Sequence, residues 1–150
     1  MIQRFDTYEI SDDPARVDFA RVHGWLTTTY WSPGITRPQV EKAAAHSSLV
    51  IGAYAGGGQT AYLRVVSDLV RIAYVCDVFV DDAHRGRGLA RALVQFVLDH
   101  PDHADVRRWL LVTRDAHGVY AEVGFEPLPQ PERWMAYLPP TRERDESTTP

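Results

Sequence analysis

The sequence predicts an α/β (α+β) domain with a central, mixed, mostly antiparallel twisted sheet of about six to seven strands flanked by about four helices. Three observations carry this. The strand-like runs Ser48–Ala55, Thr60–Ser67 and Ile72–Val80 follow one another with only short turns between them, which implies an antiparallel meander. After Gly88 the apolar period changes from that of a strand to that of a helix, and another apolar run, Trp109–Thr113, comes next; strands joined through a helix run parallel, with a right-handed crossover. Helix-start signals precede the meander. A chain of 150 residues, 45% of them hydrophobic, suits one domain over residues 1–138, followed by a tail, 139–150, that is rich in charge and poor in apolar side chains.

In chain order, Thr7–Ile10 reads as a short first strand. Ser11-Asp12-Asp13-Pro14 is a helix start, because acidic or hydroxyl caps precede a proline whose missing N–H is not needed in the first turn; the helix is expected to run to about Thr27. An irregular aromatic stretch follows with Trp25, Tyr30, Trp31, Pro33 and Gly34. Thr36 and Gln39 have capping-box spacing, which predicts a second helix over 37–46. Gly56-Gly57-Gly58 joins the first two meander strands, and Asp68–Arg71 turns the chain into the third. That third strand is apolar at nearly every position, which predicts that both its faces are covered and that it is central. Cys76 within it reads as a small buried hydrophobe. Leu89, Leu93, Phe96, Val97 and His100 then form one helical stripe, which Pro101 stops. Asp115 or Thr113 can cap a short helix through Ala116, Val119, Tyr120 and Val123, which Gly124 ends. Phe125–Leu128 and Trp134–Tyr137 read as a terminal strand pair.

Several classes of function are disfavoured. The net charge of −4, with both signs dispersed along the chain, leaves no electrostatic footprint for nucleic acid and no basic anchor for a membrane. The first residues lack the apolar core of a signal peptide, and no run is long enough to span a bilayer. One cysteine makes no internal disulfide, so a cytoplasmic location is the simplest expectation. His100 and His103, with Asp99 and Asp102, have ligand-like spacing, but Pro101 interrupts them, so an exposed polar loop without metal is expected. No nucleophile elbow is present.

The informative stretch is Arg85-Gly86-Arg87-Gly88-Leu89-Ala90, between a buried strand and a helix. Two glycines there let consecutive N–H groups converge on an anion, and the helix dipole and two arginines add favourable potential, which suits a pyrophosphate. A plain tight turn is the alternative. A dinucleotide fingerprint would need a third glycine where Arg91 stands, and a Walker loop would need Gly-Lys-Ser/Thr.

These six residues resemble the acyl-CoA pyrophosphate motif of the Gcn5-related N-acetyltransferase (GNAT) family. The strand before the loop, a later short helix with Tyr120 ending at Gly124-Phe125, and the order of elements from about Tyr8 to Tyr137 resemble that family as well. The resemblance implies the GNAT fold, acetyl-CoA as co-substrate, and acetyl transfer to a primary amine of a small molecule or peptide in a ternary complex, or else a silent acyl-CoA sensor. It implies that backbone groups of Val78, Phe79 and Val80 pair with pantetheine, that the N–H groups of Gly86, Arg87, Gly88, Leu89 and Ala90 hold pyrophosphate beside Arg85 and Arg87, and that Tyr120 protonates the leaving thiolate. Thr113 stands where many relatives have an asparagine that contacts pantetheine. Asp77, the one charge in the apolar run, is either a base whose pKa desolvation raises or a structural carboxylate paired with an arginine or capping a bulge. Asp68 is a weaker base or substrate candidate and otherwise a solvated turn residue. Trp25, Tyr30 and Trp31 either pack the core or line the acceptor site. His84 and His117 flank the cofactor end, and a homodimer through the terminal strands is open.

Overall fold

In a computed structural model, residues 1–139 are described; the expected tail beyond Pro139 lies outside them. Six strands form one sheet in sequence order: β1 (Ile2–Phe5), β2 (Tyr8–Ser11), β3 (Leu49–Ala55), β4 (Gly58–Ser67), β5 (Ala73–Val80) and β6 (Trp109–Leu110). The first five are antiparallel to their neighbours, and β5 and β6 are parallel. Four helices flank the sheet: α1 (Phe19–Leu26), α2 (Arg37–Ala45), α3 (Leu89–Leu98) and α4 (His117–Ala121).

Alternation along the strands builds two cores on opposite faces, since successive side chains point to opposite sides. Ile51, Leu63, Val65, Ala73 and Val75 pack against Leu89, Leu93, Phe96 and Val97 of α3. The intervening Val50 and Tyr62 pack against Val22 and Leu26 of α1 and Val40 of α2. The capping box predicted at Thr36 and Gln39 starts α2.

The expected first helix is broken. Asp13 caps a 3₁₀ turn over Pro14–Arg16, Val17 is extended, and Asp18 caps α1 by accepting from the Arg21 N–H at 3.0 Å. Two helix starts stand where one was read, because Asp18 competes for the chain with its own cap. β1 is an additional strand that sequence reading passed over; its residues are mostly exposed and give no clean alternation. The terminal strand pair does not form among the described residues. Pro127 and Pro129 remove ladder donors, Gln130 sits at φ +53°, a 3₁₀ turn occupies Pro131–Arg133, and Met135 and Tyr137 face solvent.

The strand before the glycine loop also departs from expectation. β5 is fifth of six, and only Ala73 and Val75 along it are buried, while Cys76 to Val80 are half-exposed. Two features explain this. β5 meets β6 only at Ala73–Trp109 and Tyr74–Leu110, so beyond Tyr74 the two strands part and that edge of β5 has no strand partner among the described residues. In addition, β5 spends two residues, Asp77 and Val78, where β4 spends one, Leu63. This is a β-bulge, with Asp77 in the left-handed region at φ +52°. A left-handed non-glycine residue costs roughly 1–2 kcal/mol, although aspartate tolerates it better than most.

His100 and His103 are buried rather than looped out into solvent. His100 Nε2 lies 3.0 Å from Asp12, and His103 Nε2 lies 3.0 Å from the Ser48 hydroxyl. Pro101 opens a 3₁₀ turn that folds both rings inward instead of releasing the chain.

Candidate active site

The parting of β5 from β6 opens a cleft of about 1680 Å³, which exceeds the ~300–1,000 Å³ of ordinary small-molecule pockets and leaves room for two reactants. Val78, Phe79 and Val80 form its floor, the loop from Arg85 to Ala90 one end, and Thr113 and Tyr120 the far wall. Trp25, Tyr30 and Trp31 close it from the α1–α2 side.

At the loop, Gly86 and Gly88 both take left-handed backbone, at φ +73° and +76°. Gly88 is the N-cap of α3 and has no side chain to cap it, so the first-turn N–H groups keep their donors for a ligand. A Cβ at Gly86 would meet nothing within 4 Å; conformation, not space, demands glycine there. Tyr8 Oη lies 3.0 Å from His84 Nδ1, which anchors the turn before the loop to β2. Arg85 folds back, with Nε donating to the Val80 carbonyl at 3.1 Å and its guanidinium 5.5 Å over the Phe79 ring. Arg87 is exposed at the cleft rim. Arg91, passed over as the residue that spoils a dinucleotide fingerprint, also lines this end and pairs with Glu122 of the post-α4 turn at 2.5 Å.

At the bulge, Asp77 is bound on both sides. Its Oδ2 accepts from Arg64 Nε at 2.5 Å and its Oδ1 from the Trp31 indole N–H at 3.2 Å. Both the arginine pairing and the bulge expected of a structural carboxylate are therefore present. Burial alone would lower the Arg64 pKa, but Asp77 outweighs it and keeps the guanidinium charged. Cys76 faces the cleft rather than the core; burial raises its thiol pKa, which leaves it a neutral thiol and a poor nucleophile.

The α1–α2 connection straps the cleft. Trp25 stacks on Phe79 at 5.2 Å, and the Tyr30 hydroxyl accepts the Arg114 N–H at 3.0 Å while the Arg114 guanidinium lies 4.0 Å over its ring. Trp25, Tyr30 and Trp31 therefore line the cleft, and Trp25 also packs against the core beneath α1 and α2. Asp68 does not. Its carboxylate accepts the N–H groups of Ile72, Arg71 and Val70, which hold its pKa below the ordinary range and spend it on the β4–β5 turn. Thr113 does line the cleft, and its hydroxyl accepts the Ala116 N–H at 3.0 Å ahead of α4. On α4, Tyr120 is half-buried against Phe125, and burial raises its pKa, with Tyr30 and Asp115 adding to the effect; the hydroxyl keeps its proton past the ordinary tyrosine range. Among the described residues no group of three or more potential metal ligands converges.

The profile of the acetyltransferase (GNAT) family matches residues 6–125, from the turn before β2 to the end of the α4 region. The chain belongs to the GNAT acetyltransferase family. A protein of Xanthomonas campestris pv. campestris assigned to the same family is 40% identical, superposes with a TM-score of 0.83, and is matched over 89% of this chain and 94% of that one. Two more distant structures share the fold. Glucosamine-6-phosphate N-acetyltransferase of Arabidopsis thaliana is 18% identical, with TM-score 0.63 over 88% of this chain and 98% of that one. The ribosomal-protein-S18-alanine N-acetyltransferase of Escherichia coli is 19% identical, with TM-score 0.67 over 81% of this chain and 79% of that one. No curated protein sequence matches the chain.

Within this GNAT protein, sequence reasoning found the glycine loop and the aromatic strap but passed over Arg64, Arg91 and Arg114. Arg64 looks like any outward strand residue until register sets it beside Asp77 across the bulge. No local signal marks it.

Proposed function

We propose that this GNAT protein is an N-acetyltransferase that moves an acetyl group from acetyl-CoA to a primary amine by direct attack in a ternary complex. The observation that carries the reading is the β5 edge, without a strand partner among the described residues, running from the bulge into the uncapped N-terminus of α3, with Tyr120 lining the same cleft. An extended pantetheine arm fits such an edge as an added strand, and the pyrophosphate fits the two left-handed glycines beside Arg85 and Arg87. Acetyl-CoA, when bound, supplies the activated acyl group as a thioester.

The chain's own residues then do four things. The strap and the β5 floor align two reactants in one cleft, which in favourable cases supplies on the order of 7–11 kcal/mol of the barrier. Phe79 and Val80 stay in register with Tyr62 and Ala61 of β4, and the N–H groups of this stretch that point to the other edge donate toward the thioester oxygen. Tyr120 holds a proton at Oη for the departing sulfur, and its raised pKa keeps that proton in place at neutral pH. Asp77 faces the amine side as the carboxylate that receives or relays the amine proton, with Arg64 and Trp31 fixing its orientation.

The test is release of CoA thiol and the mass of the product from acetyl-CoA with an amine panel, for the parent protein and Tyr120→Phe. Amine-dependent release that falls ~100-fold in Tyr120→Phe, with acetyl-CoA affinity unchanged, supports the reading. Tight acetyl-CoA binding with no amine acetylated would instead favour a silent acyl-CoA sensor.

A further inference from the structure

We infer that the acceptor is a primary amine carried on a flat, uncharged apolar body, an arylalkylamine in class. This deepens the acetyl-transfer reading and rests on it. The inference comes from the charges and surface of the half of the cleft away from the glycine loop. There the lining charges are Arg64 and Asp77, and they neutralise each other at 2.5 Å. Among the described residues every other charged lining residue belongs to segments 81–91 or 114–122; of these Arg114, over the Tyr30 ring, reaches the strap and is paired with Asp115 at 3.4 Å.

Beside the hydroxyls of Thr28, Thr29 and Ser32, that half carries an apolar strip, Trp31, Tyr74 and Val112, which Val66 and Leu110 extend outside the cleft. Register places Val66 directly opposite Tyr74, and Tyr74 opposite Leu110, so three strands present one row on the face away from α3. Val112 continues it two residues further along and is 81% exposed, while Tyr74 and Trp31 are 39% and 42% exposed. Tyr74, Val112 and Trp31 line the same cleft as Asp77, so the strip is continuous with the proposed reaction centre. An exposed aromatic and aliphatic row beside a net-neutral ion pair complements an aromatic body that carries no charge beyond its reacting amine.

Two other acceptor classes lack their partners here. A polyamine carries several cations and needs several free carboxylates, whereas among the described residues Asp77 and Asp115, the carboxylates nearest the strap, are each paired with an arginine. An amino-sugar phosphate needs a free cationic cluster, whereas among the described residues Arg64 is committed to Asp77, Arg114 lies over the Tyr30 ring and pairs with Asp115 at 3.4 Å, and the other lining arginines belong to the glycine loop and the first turn of α3.

The experiment compares 2-phenylethylamine, spermidine, glucosamine 6-phosphate and an alanine-initiated peptide as acceptors with the full chain and acetyl-CoA, measuring kcat/KM for each. The inference expects 2-phenylethylamine to lead by ~100-fold or more. It also expects Tyr74→Ala and Val112→Asp each to raise the KM for 2-phenylethylamine ~10-fold while the KM for acetyl-CoA stays within twofold. Val112→Asp should raise kcat/KM for spermidine at the same time. Both side chains are substantially exposed, so the variants are expected to fold, and the acetyl-CoA KM reports that they do. Preference for spermidine, the sugar phosphate or the peptide would overturn the inference and leave acetyl transfer standing. Failure of all four amines would sink both together.

Discussion

The indole N–H of Trp31 donates to Asp77 Oδ1 at 3.2 Å, joining residues 46 positions apart in the chain. Through that one bond the connection between α1 and α2 is fastened to the bulge of β5, and the other carboxylate oxygen is held by Arg64. The strap over this part of the cleft is thereby positioned by the same side chain that we propose faces the amine. Trp31→Phe keeps the ring and removes the N–H. A hydrogen bond to a charged group contributes about 1.5–3 kcal/mol, so the acceptor KM should rise by roughly 10-fold or more with the acetyl-CoA KM unchanged. Steady-state kinetics with each substrate varied in turn checks this, and an equal rise in both KM values would show that the strap does not act on the acceptor alone.

Asp77 combines a charge with a left-handed backbone, and two substitutions separate these roles. Asparagine tolerates φ +52°, so Asp77→Asn should keep the bulge while leaving the largely buried Arg64 without its counter-charge, for a loss of about 1–3 kcal/mol in urea unfolding. Asp77→Ala should lose more, since alanine adds backbone strain. Equal stabilities for the two variants would show that the left-handed conformation costs nothing here. If Asp77 receives the amine proton, the pH–rate profile of Asp77→Asn loses its acid limb; an unchanged profile removes the residue from proton transfer.

At the loop, Gly86→Ala meets no atom, so any effect comes from its φ of +73°. The strain is about 1–2 kcal/mol, and relaxing it would turn N–H groups away from the pyrophosphate. Acetyl-CoA affinity by calorimetry should fall ~10-fold, and the acceptor KM measured at saturating acetyl-CoA should not move. Unaltered affinity would exclude Gly86 from the anion site.

His103 makes stability depend on pH. Burial, with nearby His100 adding to it, lowers its pKa below 6.5, so the unfolded chain binds the proton more readily than the folded one. Stability is therefore level above that value and declines as pH falls below it, until the folded form also protonates. The melting temperature should drop between about pH 7 and pH 5, and His103→Gln should flatten that slope. Asp12, whose carboxyl His100 and the amino terminus hold low against the opposing effect of burial, adds its own loss only below 3.8, outside this window. A parallel slope in His103→Gln would assign the effect elsewhere.

Much of the fold was legible along the chain because its signals are local. The Thr36–Gln39 box, the three-strand meander and the periodic face of α3 all appear as read. The errors arose where neighbours in the chain competed or where partners were distant. Asp18 split one helix into two, prolines stopped the terminal strands, and two histidines expected in solvent turned inward. Most of the candidate site residues line one cleft, whereas Asp68 went to its own turn.

By itself the sequence determined the glycine loop, since glycine at two left-handed positions before an uncapped helix is a property of six consecutive residues. It also determined which strands could be neighbours, because turn length limits pairing. Tertiary structure decided what the cleft is. The parting of β5 from β6, the single extra residue that throws Asp77 into the left-handed region, and the meeting of Arg64, Asp77 and Trp31 all depend on strand register. Register is set by packing across the whole sheet, so no stretch of the chain contains it.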